Sequence, residues 1–190
     1  MTSPSREKTS ILLTTSHGDP ASAKELVQIL YAELKNVAQR LLADERKNHT
    51  LQPTALVNEL WLKLIDDTKV ETEDRARFMG LAARAMRQIL VNHARTRKRQ
   101  KRGGDWARDN FDSKIAGLPE RSTDLIALDE EIEALHALKP RVAQVVEMRF
   151  FGGMTVEEVA TALEISPRTV ADDWQFARAW LARELRRGDD

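Results

Sequence analysis

Apolar residues of this 190-residue chain recur at intervals of three and four positions over most of its length, the spacing of amphipathic helices. The pattern begins at Asp19 and Pro20, a favourable N-cap and first-turn pair, and continues to about residue 43. It returns in PTALVNELWLKLI, which starts at Pro53, and again in a longer segment from about Arg75. No stretch shows the sustained alternation of a β-strand. The N-terminal half is therefore predicted to hold three helices.

The third predicted helix changes character along its length. Its first half, FMGLAARAMRQILV, carries apolar side chains for a core, among them Phe78, which we interpret as a packing residue. After Val91 almost nothing is apolar until Gly103 and Gly104 end the pattern. A helix that extends beyond its own core projects into solvent or onto a partner.

The remaining sequence predicts a second helical unit after a break. Residues 103–123 lack sustained periodicity, and helical spacing resumes from Leu125 to Leu138. Pro140 begins a further helix through RVAQVVEMRFF, which Gly152 and Gly153 end. The predicted fold is therefore all-α: two small helical domains, residues 19–102 and 124–190, joined by a flexible linker over 103–123. Residues 1–18, rich in Ser and Thr, are expected to be a disordered tail.

The segment from Thr155 onward has the pattern of a helix-turn-helix. Thr155 and Glu158 form a capping box for a short helix, and EISP makes a tight turn before a second helix capped by Ser166. In such a motif the first residues of the second helix enter the major groove. The candidate DNA-contacting residues are Arg168, Thr169, Asp172, Asp173, Gln175 and Arg178. A plain helical hairpin is the alternative, and two aspartates weaken the DNA interpretation, although aspartate can accept a hydrogen bond from cytosine.

Charge is strongly segregated along a chain whose net charge is zero, with 30 basic and 30 acidic residues. From Arg84 to Arg102 there are eight Lys or Arg and no acid, and from Asp124 to Glu133 there are five acids and no base. A basic stripe on a helix favours binding to nucleic acid or to an anionic membrane surface. The alternative is a solvated basic face.

Several functional classes find no support in the composition. The chain has no cysteine, its four histidines are dispersed, and it contains no Gly-rich phosphate loop. No apolar run approaches the length of a membrane span, and the N-terminus does not resemble a secretory signal. We therefore expect no enzyme activity, no metal, no cofactor and no membrane partner, and a cytoplasmic location.

Four segments occur in an order that identifies a family resemblance. The chain resembles a bacterial sigma factor of the extracytoplasmic-function (ECF) type, in the sigma-70 family. The segments that carry the resemblance are, in order, LVNELWLKL, FMGLAARAMRQILVNHARTRKR, the linker, and LHALKPRVAQVVEMRFFGGMTVEEVATALEISPRTV. The resemblance covers about residues 20–188. It implies that the partners are promoter DNA and core RNA polymerase, through its β′ clamp helices and β subunit. Residues 19–102 would be the region 2-like domain that docks on polymerase and recognises the −10 element, and residues 124–190 the region 4-like domain that reads the −35 element.

The resemblance also implies roles for individual residues. The residues that would contact polymerase are Leu56, Asn58, Glu59, Trp61 and Lys63. Binding of the opened −10 element would fall to Arg75, Arg77, Arg84, Arg87, Gln88 and Asn92, and binding of upstream phosphates to Arg95, Arg97, Lys98, Arg99, Lys101 and Arg102. For Trp61 a simple core position is the alternative.

The docking helix departs from the family pattern, because many members begin it with acidic residues. Gln52, Thr54 and Ala55 stand at those positions here. Thr54 follows Pro53 at a helix N-terminus, where an added phosphate is favoured by the helix dipole. This suggests control by a Ser/Thr kinase acting on Thr54, in place of release from an anti-sigma factor. The alternatives are that docking relies on Glu59 and apolar contacts and needs no switch, or that an anti-sigma factor is the partner that controls the protein. The alternative functions are a helix-turn-helix regulator that acts without polymerase docking, and an RNA-binding or scaffold protein.

Overall fold

The computed structural model describes residues 20–42, 51–66, 75–100 and 125–187, and these ranges are almost entirely helical. The helices are α1 (Pro20–Leu41), α2 (Pro53–Asp66), α3 (Arg75–Gln100), α4 (Leu125–Leu138), α5 (Pro140–Val146), α6 (Val156–Leu163) and α7 (Pro167–Arg187), with a π-helical turn at Glu147–Phe151. The described ranges contain no strand, which confirms the all-α expectation. The predicted tail, 1–18, and the predicted linker, 103–123, lie outside them. None of the helices described has the combination of length and apolarity that crossing a bilayer requires.

Short-range sequence signals determine where these helices begin. Pro53, Pro140 and Pro167 are each the first residue of a helix, as predicted. The capping box is also confirmed: the Thr155 hydroxyl accepts from the Glu158 amide at 3.2 Å, and the Thr155 amide donates to the Glu158 carboxylate at 2.8 Å. The hydroxyl of Ser166 accepts from the amide of Thr169 at 3.1 Å, which caps α7.

The predicted helix from Pro140 through Phe151 differs from the one observed. It is α-helical only to Val146 and then makes a π-helical turn, in which the Gly152 amide donates to the Glu147 carbonyl at 3.0 Å. The wider turn directs both Glu147 and Phe151 into the interior. Such turns are often found at functional positions, and a hydrophobic repeat alone does not distinguish them from a continuous α-helix.

Two groups of helices each contribute buried side chains to the core. In the first group, α1, α2 and α3 bury Leu34, Leu60 and Met86, and Phe78 packs inside as expected. In the second group, α4 to α7 bury apolar residues such as Ile132 and Leu181. The buried apolar residues of both groups form one continuous cluster.

The two groups meet where α3 packs against the π-helical turn, α4 and α6. Glycines allow the close approach: a Cβ atom on Gly80 would lie 2.7 Å from the Met148 methyl, and one on Gly152 would lie 2.9 Å from the Ala83 Cβ. The N-terminal and C-terminal helices are therefore packed together in this conformation. Their division into separate domains at 19–102 and 124–190 stays a prediction.

Candidate nucleic-acid interface

The polar side chains of α3 divide into two stripes with different surroundings. The first, which we call the exposed stripe, is open to solvent and consists of Arg84, Gln88, Asn92, Lys98 and Arg99. The second, which we call the paired stripe, meets carboxylates of the C-terminal helices and consists of Arg75, Arg77, Arg87 and Arg95. Of these four side chains Arg87 is buried, whereas the other three are paired but still exposed to solvent. The ten described residues among the twelve assigned to DNA from the sequence thus do not share the same surroundings.

Arg87 is the centre of the paired stripe and is only 3% exposed. Its Nε and Nη2 donate to Asp129 Oδ1 at 2.8 and 2.6 Å, and its Nη1 donates to Glu147 Oε1 at 2.5 Å. Nη2 also contacts the Glu133 carboxylate at 2.6 Å. Asp129 and Glu147 are themselves 8% and 4% exposed, so two carboxylates and one guanidinium are buried together.

The Arg87 guanidinium is held in its charged form. Burial by itself lowers the pKa of Arg87, but the hydrogen bonds and charges of Asp129, Glu147 and Glu133 outweigh it, and the pKa lies above its usual value. Arg95 adds a second cation, with Nη2 at 3.0 Å from the other oxygen of Asp129. Buried carboxylates that have such partners are satisfied, whereas the same groups without them would be strongly destabilising.

The N-terminal end of α3 makes two further ion pairs to the C-terminal helices. Arg75 donates to Glu33 of α1 at 2.7 Å and to Glu158 of α6 at 2.8 Å. The backbone amide of Thr155 and the side chain of Arg75 lower the pKa of the Glu158 carboxyl below its usual value. Arg77 pairs with Glu164, the residue at positive φ in the turn of the helix-turn-helix. These pairs are partly exposed, so each stabilises the protein by about 0–1 kcal/mol.

The C-terminal end of α3 extends the basic surface beyond the packed core. Lys98 and Arg99 are exposed there, and Arg97 is half-buried. Lys101 and Arg102 lie outside the described residues. Asn92 and Gln88 are exposed closer to the N-terminus of α3. The Lys63 ammonium donates to the Gln88 side-chain oxygen at 2.5 Å.

The helix-turn-helix presents three of its candidate residues on one exposed face of α7. Arg168, Asp172 and Gln175 are exposed and follow at intervals of four and three positions, which places them in line. Asp173 is engaged elsewhere, because Arg141 donates to its carboxylate at 2.7 and 3.2 Å. Thr169 and Arg178, the other candidates, are half-buried.

The outer face of α2 contains two of the candidate docking residues and one residue that the sequence analysis did not identify. Asn58 and Glu59 are exposed, and the Glu59 carboxylate lies 3.0 Å from the His93 ring. Leu62 is 55% exposed on the same helix. The sequence did contain a signal for this exposure, because Leu62 lies outside the helical spacing of Leu56, Leu60 and Leu64. A leucine that is not on the apolar face of a helix must face solvent or a partner.

The other candidates on α2 occupy different environments. Leu56 is completely buried, and Trp61 is half-buried with its ring centroid 5.8 Å from that of Phe78. Lys63 is half-buried, and Thr54 is exposed in the first turn. Within the described ranges, no group of three or more His, Asp and Glu side chains is placed to hold a metal ion.

Comparison with known protein families gives a match over most of the chain. The model of the ECF sigma factor family matches residues 5–187. The searches of curated proteins and of solved structures gave no match. The family directs transcription initiation by RNA polymerase at promoter DNA, which does not favour a regulator that acts without polymerase. The match covers nearly the whole chain, and the protein therefore belongs to the ECF sigma factor family.

Proposed function

We propose that this sigma factor docks on core polymerase through the outer face of α2, binds the opened −10 element along α3, and reads the −35 element with α7. The observation that carries the proposal is the exposed line of Arg168, Asp172 and Gln175 at the start of the second helix of the helix-turn-helix. Those positions in that motif reach base edges in the major groove. Arginine and glutamine have side chains that can make bidentate contacts to guanine and adenine.

The exposed stripe of α3 supports the role in −10 binding. Arg84, Lys98 and Arg99 supply positive charge for phosphates, and Gln88 and Asn92 supply amides for bases extruded from the duplex. Aromatic side chains are absent from this set, so affinity would come mainly from phosphate contacts rather than from stacking.

Arg168→Ala and Gln175→Ala should each weaken binding of the polymerase–sigma complex to its promoter by about 1–3 kcal/mol, if their side chains contact bases. DNase footprinting would show protection lost at the −35 element and retained downstream. Arg183→Ala is the matched control, because it removes an exposed arginine from a later turn of the same helix. Footprints at −35 that are unchanged in both test variants would refute the assignment of α7.

The outer face of α2 supports the docking role. Asn58, Glu59 and Leu62 combine polar, acidic and apolar character on one exposed face. The clamp helices that receive this segment in the family are basic, so Glu59 contributes charge complementarity. With Gln52, Thr54 and Ala55 in place of acidic residues, this face carries less negative charge than the family pattern provides.

We further propose that a Ser/Thr kinase supplies the missing charge at Thr54, in place of control by an anti-sigma factor. Thr54 is exposed in the first turn of α2, where a phosphate of charge ≈ −1.5 to −2 is favoured by the helix dipole. Phosphorylated protein should bind core polymerase about tenfold more tightly than unmodified protein, equivalent to about 1.4 kcal/mol. Fluorescence titration of core polymerase would measure both affinities.

Two variants separate Thr54 from other phosphorylation sites. Thr54→Ala should bind as weakly as the unmodified protein and fail to respond to the kinase. Thr161→Ala, which removes an exposed threonine from α6, should respond as the parent chain does. Equal, tight binding by the unmodified, Thr54→Ala and phosphorylated proteins would show that docking needs no such switch.

A further inference from the structure

Two cations outside the helix-turn-helix lie beside its exposed line of Arg168, Asp172 and Gln175, which we call the reading face. Lys139 immediately precedes α5 and Arg141 is the second residue of that helix, and both side chains are exposed. We propose that Lys139 and Arg141 bind the DNA backbone at the edge of the major groove that α7 enters. The inference rests on the proposed function, since it takes α7 as the helix that reads the −35 element.

Arg141 is fixed to α7 by a pair of hydrogen bonds. Its Nε and Nη2 donate to the two carboxylate oxygens of Asp173 at 2.7 and 3.2 Å. The Asp173 side chain is only 13% exposed and that of Arg141 is 53% exposed, so the carboxylate is largely covered while the guanidinium stays accessible. The hydrogen bonds and the charge of Asp173 also raise the pKa of Arg141 above its usual value. The pair uses two of the five N–H donors of a guanidinium, which leaves three for a phosphate.

Lys139 is held next to α7 by an aromatic ring. Its ammonium nitrogen lies 3.9 Å from the centroid of the Phe176 ring, and Phe176 is 40% exposed. The negative face of an aromatic ring attracts an ammonium group but carries no net charge that would neutralise it. The Lys139 ammonium therefore keeps its positive charge for an anion while its position on the surface is restricted.

Helical geometry places both cations at the side of the reading face. Each residue of an α-helix advances about 100° around the axis, so Arg168, Asp172 and Gln175 lie within about 60° of one another. Phe176 lies about 70° and Asp173 about 130° from the middle of that face, in the same direction. The major groove is about 12 Å wide, close to the diameter of a helix with its side chains, so groups at the side of an inserted helix meet the phosphates that border the groove. The cations that contact Phe176 and Asp173 are therefore placed for phosphates rather than for bases.

The pair with Arg141 also changes the role of Asp173, which the sequence indicated as a candidate for contact with bases. An uncompensated carboxylate near DNA repels phosphates, so its removal strengthens binding. A carboxylate that orients a phosphate-binding guanidinium is a positioning residue, and its removal weakens binding. The sign of the effect of Asp173→Asn on DNA affinity therefore distinguishes the two roles.

The salt dependence of DNA binding tests the two phosphate contacts. Anisotropy titrations would use the complex of core polymerase with this sigma factor and a labelled promoter fragment that the parent protein transcribes in run-off assays. Lys139→Gln/Arg141→Gln should lower the slope of log affinity against log salt by up to about 1.8, and affinity near 0.1 M salt by up to about 60-fold. Lys139→Arg/Arg141→Lys keeps both charges and should keep most of the slope. Arg183→Gln is the matched control, because Arg183 is also exposed and paired with a carboxylate, that of Glu184 at 2.7 Å, but lies further along α7.

Two further measurements locate the contacts and test the positioning role. Ethylation of backbone phosphates that border the −35 element should interfere with binding of the parent complex, and one or two of these positions should lose their effect with Lys139→Gln/Arg141→Gln. Asp173→Asn should weaken binding about threefold although it removes a negative charge. In an Arg141→Gln background the same substitution should no longer weaken binding. Circular dichroism confirms that the variants remain helical.

The outcomes separate this inference from the proposed function. If Arg168→Ala/Gln175→Ala loses the −35 footprint but Lys139→Gln/Arg141→Gln keeps the parent slope and ethylation pattern, the inference is overturned and the reading role of α7 stands. If the −35 footprint survives in Arg168→Ala/Gln175→Ala, the proposed function fails and the inference fails with it. A loss for Lys139→Gln/Arg141→Gln that appears only in the affinity for core polymerase, measured without DNA, would assign this surface to a protein contact and would equally overturn the inference.

Discussion

Replacing Arg87 with Gln should destabilise the packed arrangement of the two helix groups by about 3–5 kcal/mol. The substitution removes the guanidinium that contacts Asp129, Glu133 and Glu147 together, and it leaves the buried carboxylate of Glu147 without the Arg87 cation that is paired with it. Removal of one partner from a buried ion pair costs more than the pair itself contributes, because the remaining charge stays desolvated. Urea unfolding followed by circular dichroism should show a lower midpoint.

Two further variants identify the cause of that loss. Arg84→Gln removes an exposed arginine one turn away on α3 and should change stability by no more than about 0.5 kcal/mol. Arg87→Gln combined with Asp129→Asn and Glu147→Gln should recover part of the stability, because no uncompensated charge then stays buried. A midpoint for Arg87→Gln that matches that of Arg84→Gln would contradict the structural role given to the buried cluster.

Neutralising the C-terminal end of α3 should weaken DNA binding through phosphate contacts alone. The triple variant Arg97→Gln/Lys98→Gln/Arg99→Gln removes three positive charges beyond the packed core. If each contacts a phosphate, the slope of log affinity against log salt should fall by about 2.7, and affinity near 0.1 M salt by a factor of about 500. Anisotropy titrations of two unrelated duplexes over a salt series would measure both quantities.

The loss should be equal on both duplexes, since phosphate contacts are independent of sequence. Arg183→Gln/Arg186→Gln/Arg187→Gln removes the same charge from the end of α7 and separates a local effect from a change in net charge. A triple variant of α3 that altered the preference between duplexes would contradict a pure phosphate role for these three residues.

Local features of the chain were predictable because their signals lie within a few residues of each other. The capping box of Thr155 and Glu158, the cap at Ser166 and the prolines that begin helices all depend on neighbours three or fewer positions away. The buried apolar faces followed from helical spacing in the same way. The family resemblance could also be recognised from the sequence, because it depends on short contiguous segments and on the order in which they occur.

Long-range pairing was not predictable from those signals. The acid cluster near Asp129 and the basic run on α3 were both visible, but Arg87 meets Asp129 and Glu147 across 42 and 60 residues of sequence. A basic run on a helix is also typical of an exposed surface, so the burial of Arg87 had no local sign. The π-helical turn at Glu147–Phe151 was missed because a hydrophobic repeat does not record a change of hydrogen-bond register.

Run-off transcription with purified core polymerase tests the central claim most directly, namely that this chain directs initiation at specific promoters. Genomic fragments would be transcribed with core polymerase alone, with the parent protein, and with Arg168→Ala/Gln175→Ala. The account predicts discrete transcripts only when the parent protein is added, and their reduction or loss with the α7 variant. Site-specific binding of the free protein to duplex DNA, with no transcript gained on adding it to core polymerase, would contradict the account.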